Sequence, residues 1–106
     1  MKNPDLLKIK TLFGDWCDKD VVMLHACFQL LTDCIEEEDL LTGDIDWSSD
    51  EEHLNAKKEI EELYAWWNGR KRLDSKEKVD DLDSTQYFTD NEMLVRLIKV
   101  RQYLWT

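Results

Sequence analysis

Positive charge is scarce in this sequence. Fourteen Lys and Arg stand against twenty-four Asp and Glu, a formal net charge of −10. Arg96, Lys99 and Arg101 are the only charged residues after Glu92, which leaves −13 on residues 1–92. Such a body argues against binding a nucleic-acid backbone directly, because basic patches supply most of that affinity. It keeps a small protein soluble, and it also suits a basic partner or the imitation of a nucleic acid. No apolar run approaches the ~20 residues of a membrane span, and no signal-peptide h-region opens the chain, so no membrane association and a cytoplasmic location are expected. Cys17, Cys27 and Cys34 are odd in number and lack metal-ligand spacing, which fits reduced thiols. Cys27 and Cys34 share one side of a helix but lie roughly 10 Å apart, beyond the reach of a disulfide. The chain has no G-x-x-x-x-G-K, nucleophile elbow, Cys/His cluster or solenoid repeat, and no cofactor is expected.

What is present is helical periodicity without strand alternation. Asn3 and Pro4 form a cap and first-turn pair, and Leu6, Leu7, Ile9, Lys10 and Phe13 then carry a short amphipathic helix that Gly14 can end. Asp18 or Asp20 caps the longest and clearest helix, where Val21, Leu24, Phe28, Leu31 and Ile35 recur beside the row Met23, Cys27, Leu30 and Cys34. After a connection that includes Gly43 and Trp47, Ser49 and Glu52 make a capping box, and Ala56, Ile60, Leu63, Tyr64 and Trp67 share the face of a third helix closed by Gly69. From Arg70 to Ser84 most residues are charged, and 70–88 reads as a loop or a marginal helical turn. Thr89 and Glu92 form a second capping box. The expectation is one all-α domain, a compact bundle of about four helices, assisted by homo-oligomer formation.

Two features point to a site. In the last helix Met93, Leu94, Leu97, Ile98, Val100, Leu104 and Trp105 form one apolar face, with Arg101 near its centre. A cation there requires an anion opposite, from this chain, a second copy or a ligand. On the second helix, His25, Gln29, Thr32, Asp33 and Glu36 form a polar strip about 100° wide. The strip reads either as the wall of a ligand pocket, with Arg101 facing it, or as an outward face with Arg101 salt-bridged to Asp33 or Glu36. Trp66 is rotated about 100° from Trp67, out of its neighbour's core and beside Glu59 and Arg70. It either covers a ligand ring or partner surface, or roofs the loop after Gly69. The row Arg70, Lys71, Arg72 can hold phosphate or simply be solvated. His53 reads as a core or boundary histidine, not a metal ligand.

Residues 23–36, 59–67 and 92–106 resemble a widespread group of small bacteriophage proteins. The shared pattern runs L-H-A-N-F, then E-I-x-E-L-Y-x-W-W, then E-M-L-x-R-L-I-K-x-R-x-x-L-W-T. His25, Asp33, Glu36, Trp66, Trp67, Arg96, Lys99 and Arg101 are positions that match these motifs, whereas Cys27 stands where the pattern has Asn. The stretch between Trp67 and Thr89 is also short and lacks a proline. The resemblance carries over no catalytic residue.

Together these features suggest a non-enzymatic phage protein in the host cytosol that counters a host defence. It would do so by sequestering a nucleotide-derived signal or by inhibiting a defence protein. In the sequestering form Arg101 meets phosphate, Trp66 stacks on a base, and His25 and Gln29 read polar edges; Asp33, Glu36 and Arg70 complete the candidate ligand-binding set. One alternative is a Mg²⁺-dependent all-α nucleotide pyrophosphohydrolase using Asp33, Glu36, Glu59 and Glu62. The helical rotation of Glu59 and Glu62 opposes it. A phage structural or assembly factor is the other.

Overall fold

A computed structural model describes residues 7–12, 19–43, 45–74 and 84–104, without the side chains of 73, 74 and 84. These residues form three α-helices, α1 (Lys19–Glu36), α2 (Glu51–Asp74) and α3 (Ser84–Lys99), followed by a 3₁₀ turn over Arg101–Tyr103. All described regular structure is helical, and no helix among the described residues is long and apolar enough to cross a membrane.

Side-chain pairs fix the directions of the helices. Phe28 stacks on Trp67 at 4.9 Å while Glu36 meets Tyr64, so α1 and α2 are antiparallel. Arg70 pairs with Asp90 and Arg96 with Glu59, so α2 and α3 are antiparallel as well. Asp20 meets Tyr87 and the Cys34 thiol donates to the Leu104 carbonyl, which makes α1 and α3 parallel neighbours. The periodic apolar positions converge on one core: Leu24, Phe28 and Leu31 from α1, Ala56, Ile60, Leu63 and Trp67 from α2, and Met93, Leu97 and Val100 at the end of the chain. Leu40 and Trp47 close its lower end, where Trp47 Nε1 donates to the Leu40 carbonyl at 3.2 Å.

The exit from α1 is a left-handed cap. Asp39 has φ 54°, and the Leu40 N–H returns six residues to the Cys34 carbonyl at 2.9 Å. Gly43 is required by the same turn, since a Cβ there would lie 2.8 Å from the Asp39 backbone oxygen.

Several sequence expectations change. Residues 7–12 are not helical. A helix this short is marginal on its own, and here the Lys10 N–H instead donates to Gln29 Oε1 at 3.1 Å while Thr11 Oγ1 lies 2.6 Å from His25 Nδ1. The proposed Asn3–Pro4 cap, Phe13, Gly14 and Asp18 lie outside the described residues. The cap of α2 is Asp50, one residue after Ser49: its Oδ1 accepts the His53 N–H at 2.8 Å. Gly69 does not close α2, which runs on to Asp74, and α3 starts at Ser84. Of the expected loop 70–88, residues 70–74 and 84–88 are therefore helical, and 75–83 fall outside the described residues. Thr89 lies inside α3 and bonds back to the Thr85 carbonyl at 3.1 Å, so it caps nothing.

Candidate functional site

The polar strip of α1 faces inward, against the reading that makes it a solvent face. His25, Gln29 and Thr32 are buried, Asp33 is half-buried, and only Glu36 is exposed. Residues 7–12 lie across it. Gln29 accepts from the Lys10 backbone and donates to Asp33 Oδ1 at 2.8 Å, and Thr32 donates to the Phe28 carbonyl at 2.9 Å. The His25 ring shares a hydrogen bond with the Thr11 hydroxyl and meets Trp67 edge-on at 4.7 Å. Glu36 accepts from the Tyr64 phenol, a bond that, followed by partial burial, holds that phenol above its ordinary pKa. The strip thus anchors a covering segment, and each of its side chains has a hydrogen-bond partner within the chain.

The expected buried arginine is a different one. α3 ends at Lys99, and the backbone tightens so that the Tyr103 N–H donates to the Val100 carbonyl and the Leu104 N–H to Arg101. This 3₁₀ turn rotates Arg101 off the apolar face and leaves it exposed, with no ion-pair partner among the described residues. Arg70 is buried instead. Its Nε and Nη2 each lie 2.9 Å from an oxygen of Asp90, a bidentate pair, and Gln86 Nε2 donates to Asp90 Oδ1 at 2.8 Å. Arg70 therefore leaves the expected solvated or phosphate-holding row and forms a clamp between α2 and α3, while Lys71 is half-buried and Arg72 exposed. Sequence periodicity could have found it. Arg70 stands three residues after Trp67 and seven after Leu63, and Asp90 three before Met93 and seven before Leu97, so both lie on core faces.

Trp66 is half-buried and packs at the edge of the core, 5.3 Å from Phe28, so it does share its neighbour's cluster. His53 is a boundary residue between the Trp47 and Tyr103 rings, bonded to Asp50 at 2.8 Å. The acids of the pyrophosphohydrolase alternative are dispersed. Glu59 and Glu62 both face Arg96, while Asp33 accepts from Gln29 and Glu36 from Tyr64. Among the described residues no group of three His, Cys, Asp or Glu side chains is placed to hold a metal ion. Of the seven expected ligand-binding residues, His25, Gln29, Asp33 and Glu36 stay together on α1, while Trp66, Arg70 and Arg101 fall in three other places.

Sequence reading missed a groove at the N-terminal ends of α1 and α3. Val21, Met23 and Leu24 form one wall and Tyr87, Asn91 and Leu94 the other, over a floor made by the Arg70–Asp90 pair. Asp20 sits at the rim, where it accepts from the Tyr87 hydroxyl. That bond, followed by backbone N–H contacts, holds its carboxyl below the usual range, so the rim stays anionic. The cavity volume is about 140 Å³. Small-molecule sites usually span about 300–1,000 Å³, so this groove matches one inserted side chain better than a nucleotide. Met23 is 62% exposed at its mouth, beside half-buried Leu94.

No family model, curated protein or solved structure matches the chain.

Proposed function

We propose that this chain is a phage-encoded, non-enzymatic binding protein that counters a host defence by occupying a basic host protein. The groove at the α1–α3 seam carries the reading. It offers an apolar wall, an anionic rim and room for one side chain, in a protein with a net charge of −10. A partner with a basic surface would be drawn in by that charge and fixed by an apolar or cationic anchor seated between Met23 and Tyr87. The phage assignment rests on the resemblance of the three helical segments. Sequestering a nucleotide-derived signal has less support, because the strip meant to read the nucleotide is engaged by Lys10 and Thr11.

The test is affinity capture of the tagged full chain from phage-infected host cells, followed by binding measurements with the recovered partner. Met23→Arg places a cation across the mouth at an exposed position. It should weaken binding at least about tenfold, as expected for a central anchor site. Raising the salt concentration should weaken the native complex steeply. A partner held equally well by the Met23→Arg variant and at high salt would contradict the reading. So would release of pyrophosphate from nucleoside triphosphates with Mg²⁺.

A further inference from the structure

The outer side of α3, opposite its buried positions Asp90, Met93 and Leu97, is apolar where water should select polar residues. Phe88 is 65% exposed, Val95 49% and Ile98 63%. With exposed Asn91 these residues recur at intervals of three, four and three, the seam spacing by which one helix packs along another. α2 does not cover this stripe, since it holds the other flank of α3 through Arg96 and Glu59. Among the described residues of α3, the charges bordering the stripe are Glu92 and Lys99, both exposed, seven residues apart and therefore on the same edge.

These charges select an occupant and a direction. Residues on the same edge of a seam oppose each other only when two helices run antiparallel. A second α3 laid antiparallel, with Val95 of each copy beside Ile98 of the other, sets Glu92 of each copy against Lys99 of the other. Two opposite-charge pairs then flank an apolar centre. A parallel pairing sets both residues against the opposite edge, where Tyr87 and Leu94 lie, and gains no ion pair. We infer that this chain forms a two-fold dimer through the outer face of α3, antiparallel and held in register by reciprocal Glu92–Lys99 contacts. The stripe offers four residues where a standard stable interface has about 20–30 a side, and each copy carries −10, so the dimer is weak and tightens as salt screens the overall repulsion.

Sedimentation velocity of the full chain over a wide concentration range tests this. Self-association should appear at high concentration and vanish in Val95→Glu, with helical circular dichroism retained because Val95 lies outside the core. Glu92→Lys and Lys99→Glu should each weaken the dimer about tenfold, and the double exchange Glu92→Lys/Lys99→Glu should restore it. A chain that stays monomeric at every concentration would overturn the inference and leave the stripe to a different protein. Association indifferent to Val95→Glu, or single variants not rescued by the double exchange, would overturn it equally.

Discussion

Two arginines join α2 to α3, and they do so in different surroundings. The Arg70 and Asp90 side chains are 2% and 6% exposed, and they meet in a bidentate geometry braced by Gln86. The Arg96 and Glu59 side chains are 35% and 28% exposed, with Glu62 joining at 3.3 Å. The chemistry is the same, but the consequences of breaking it differ. Water can replace a lost partner at Arg96, whereas losing the Asp90 carboxylate removes the bidentate contact of a charge held inside the bundle. Burying a pair adds little net stability over apolar packing, while breaking one is costly. The inner clamp therefore works as a specificity device. It fixes the register of α2 against α3 and holds the floor of the groove, and the outer pair only reinforces that register.

The largest expected effect follows from breaking the inner clamp on one side. Asp90→Ala should lower stability by about 3–5 kcal/mol in denaturant unfolding, because buried Arg70 loses its bidentate carboxylate contact. The double change Arg70→Met/Asp90→Leu should recover most of that loss, since apolar side chains of similar size often replace a buried pair at little cost. If Asp90→Ala unfolds like the native chain, Arg70 is solvated and the assignment of the floor fails.

Half of this comparison was readable from the residues alone. The core stripe of α2 and its long α1 partner follow from apolar spacing, and the structure places Ala56, Ile60, Leu63 and Trp67 where that spacing puts them. Arg70 and Asp90 extend the same periodicity, but the glycine at 69 suggested a helix end and the charge of Arg70 suggested solvent. Gly69 is instead an interior helical residue whose missing Cβ would meet nothing within 4 Å. Arg101 was misplaced for the converse reason. Helical periodicity was carried past Lys99, where the chain tightens to a 3₁₀ turn, and local sequence carries little sign of that change. The inward face of α1 was not legible, because only tertiary contact with residues 7–12 distinguishes a covered polar strip from an exposed one. The groove was likewise invisible, being made by the parallel approach of two helices distant in sequence.

Gly69 precedes Arg70 on α2 and carries a backbone cost of its own. Gly69→Ala should raise stability by about 0.8–1 kcal/mol, because alanine restores helix propensity next to Arg70 without a steric cost. A destabilising Gly69→Ala would mean that α2 does not run continuously through this position.

The smallest effect belongs to the outer pair. Arg96→Ala should cost less than about 1 kcal/mol at neutral pH. Its signature is in the acid limb. The hydrogen bond from Arg96 is the largest influence on the Glu59 carboxyl and holds it below its ordinary value of 4.5. A depressed carboxylate contributes stability that is complete above its unfolded value and is lost as pH falls toward the folded one. The native chain should therefore lose this increment below about pH 4.5, and Arg96→Ala should show a shallower decline there, measured by unfolding at a series of pH values. An identical acid limb in both proteins would remove Arg96 from the electrostatics of Glu59.

The groove built over the inner clamp is the proposed binding site, and Arg101 lies outside it. The most direct measurement compares the affinity of the captured host partner for the native chain, Met23→Arg and Arg101→Ala under one salt condition. Binding should weaken at least about tenfold in Met23→Arg and change within about twofold in Arg101→Ala. Full affinity in Met23→Arg with a large loss in Arg101→Ala would contradict this assignment, moving the binding site to the end of α3.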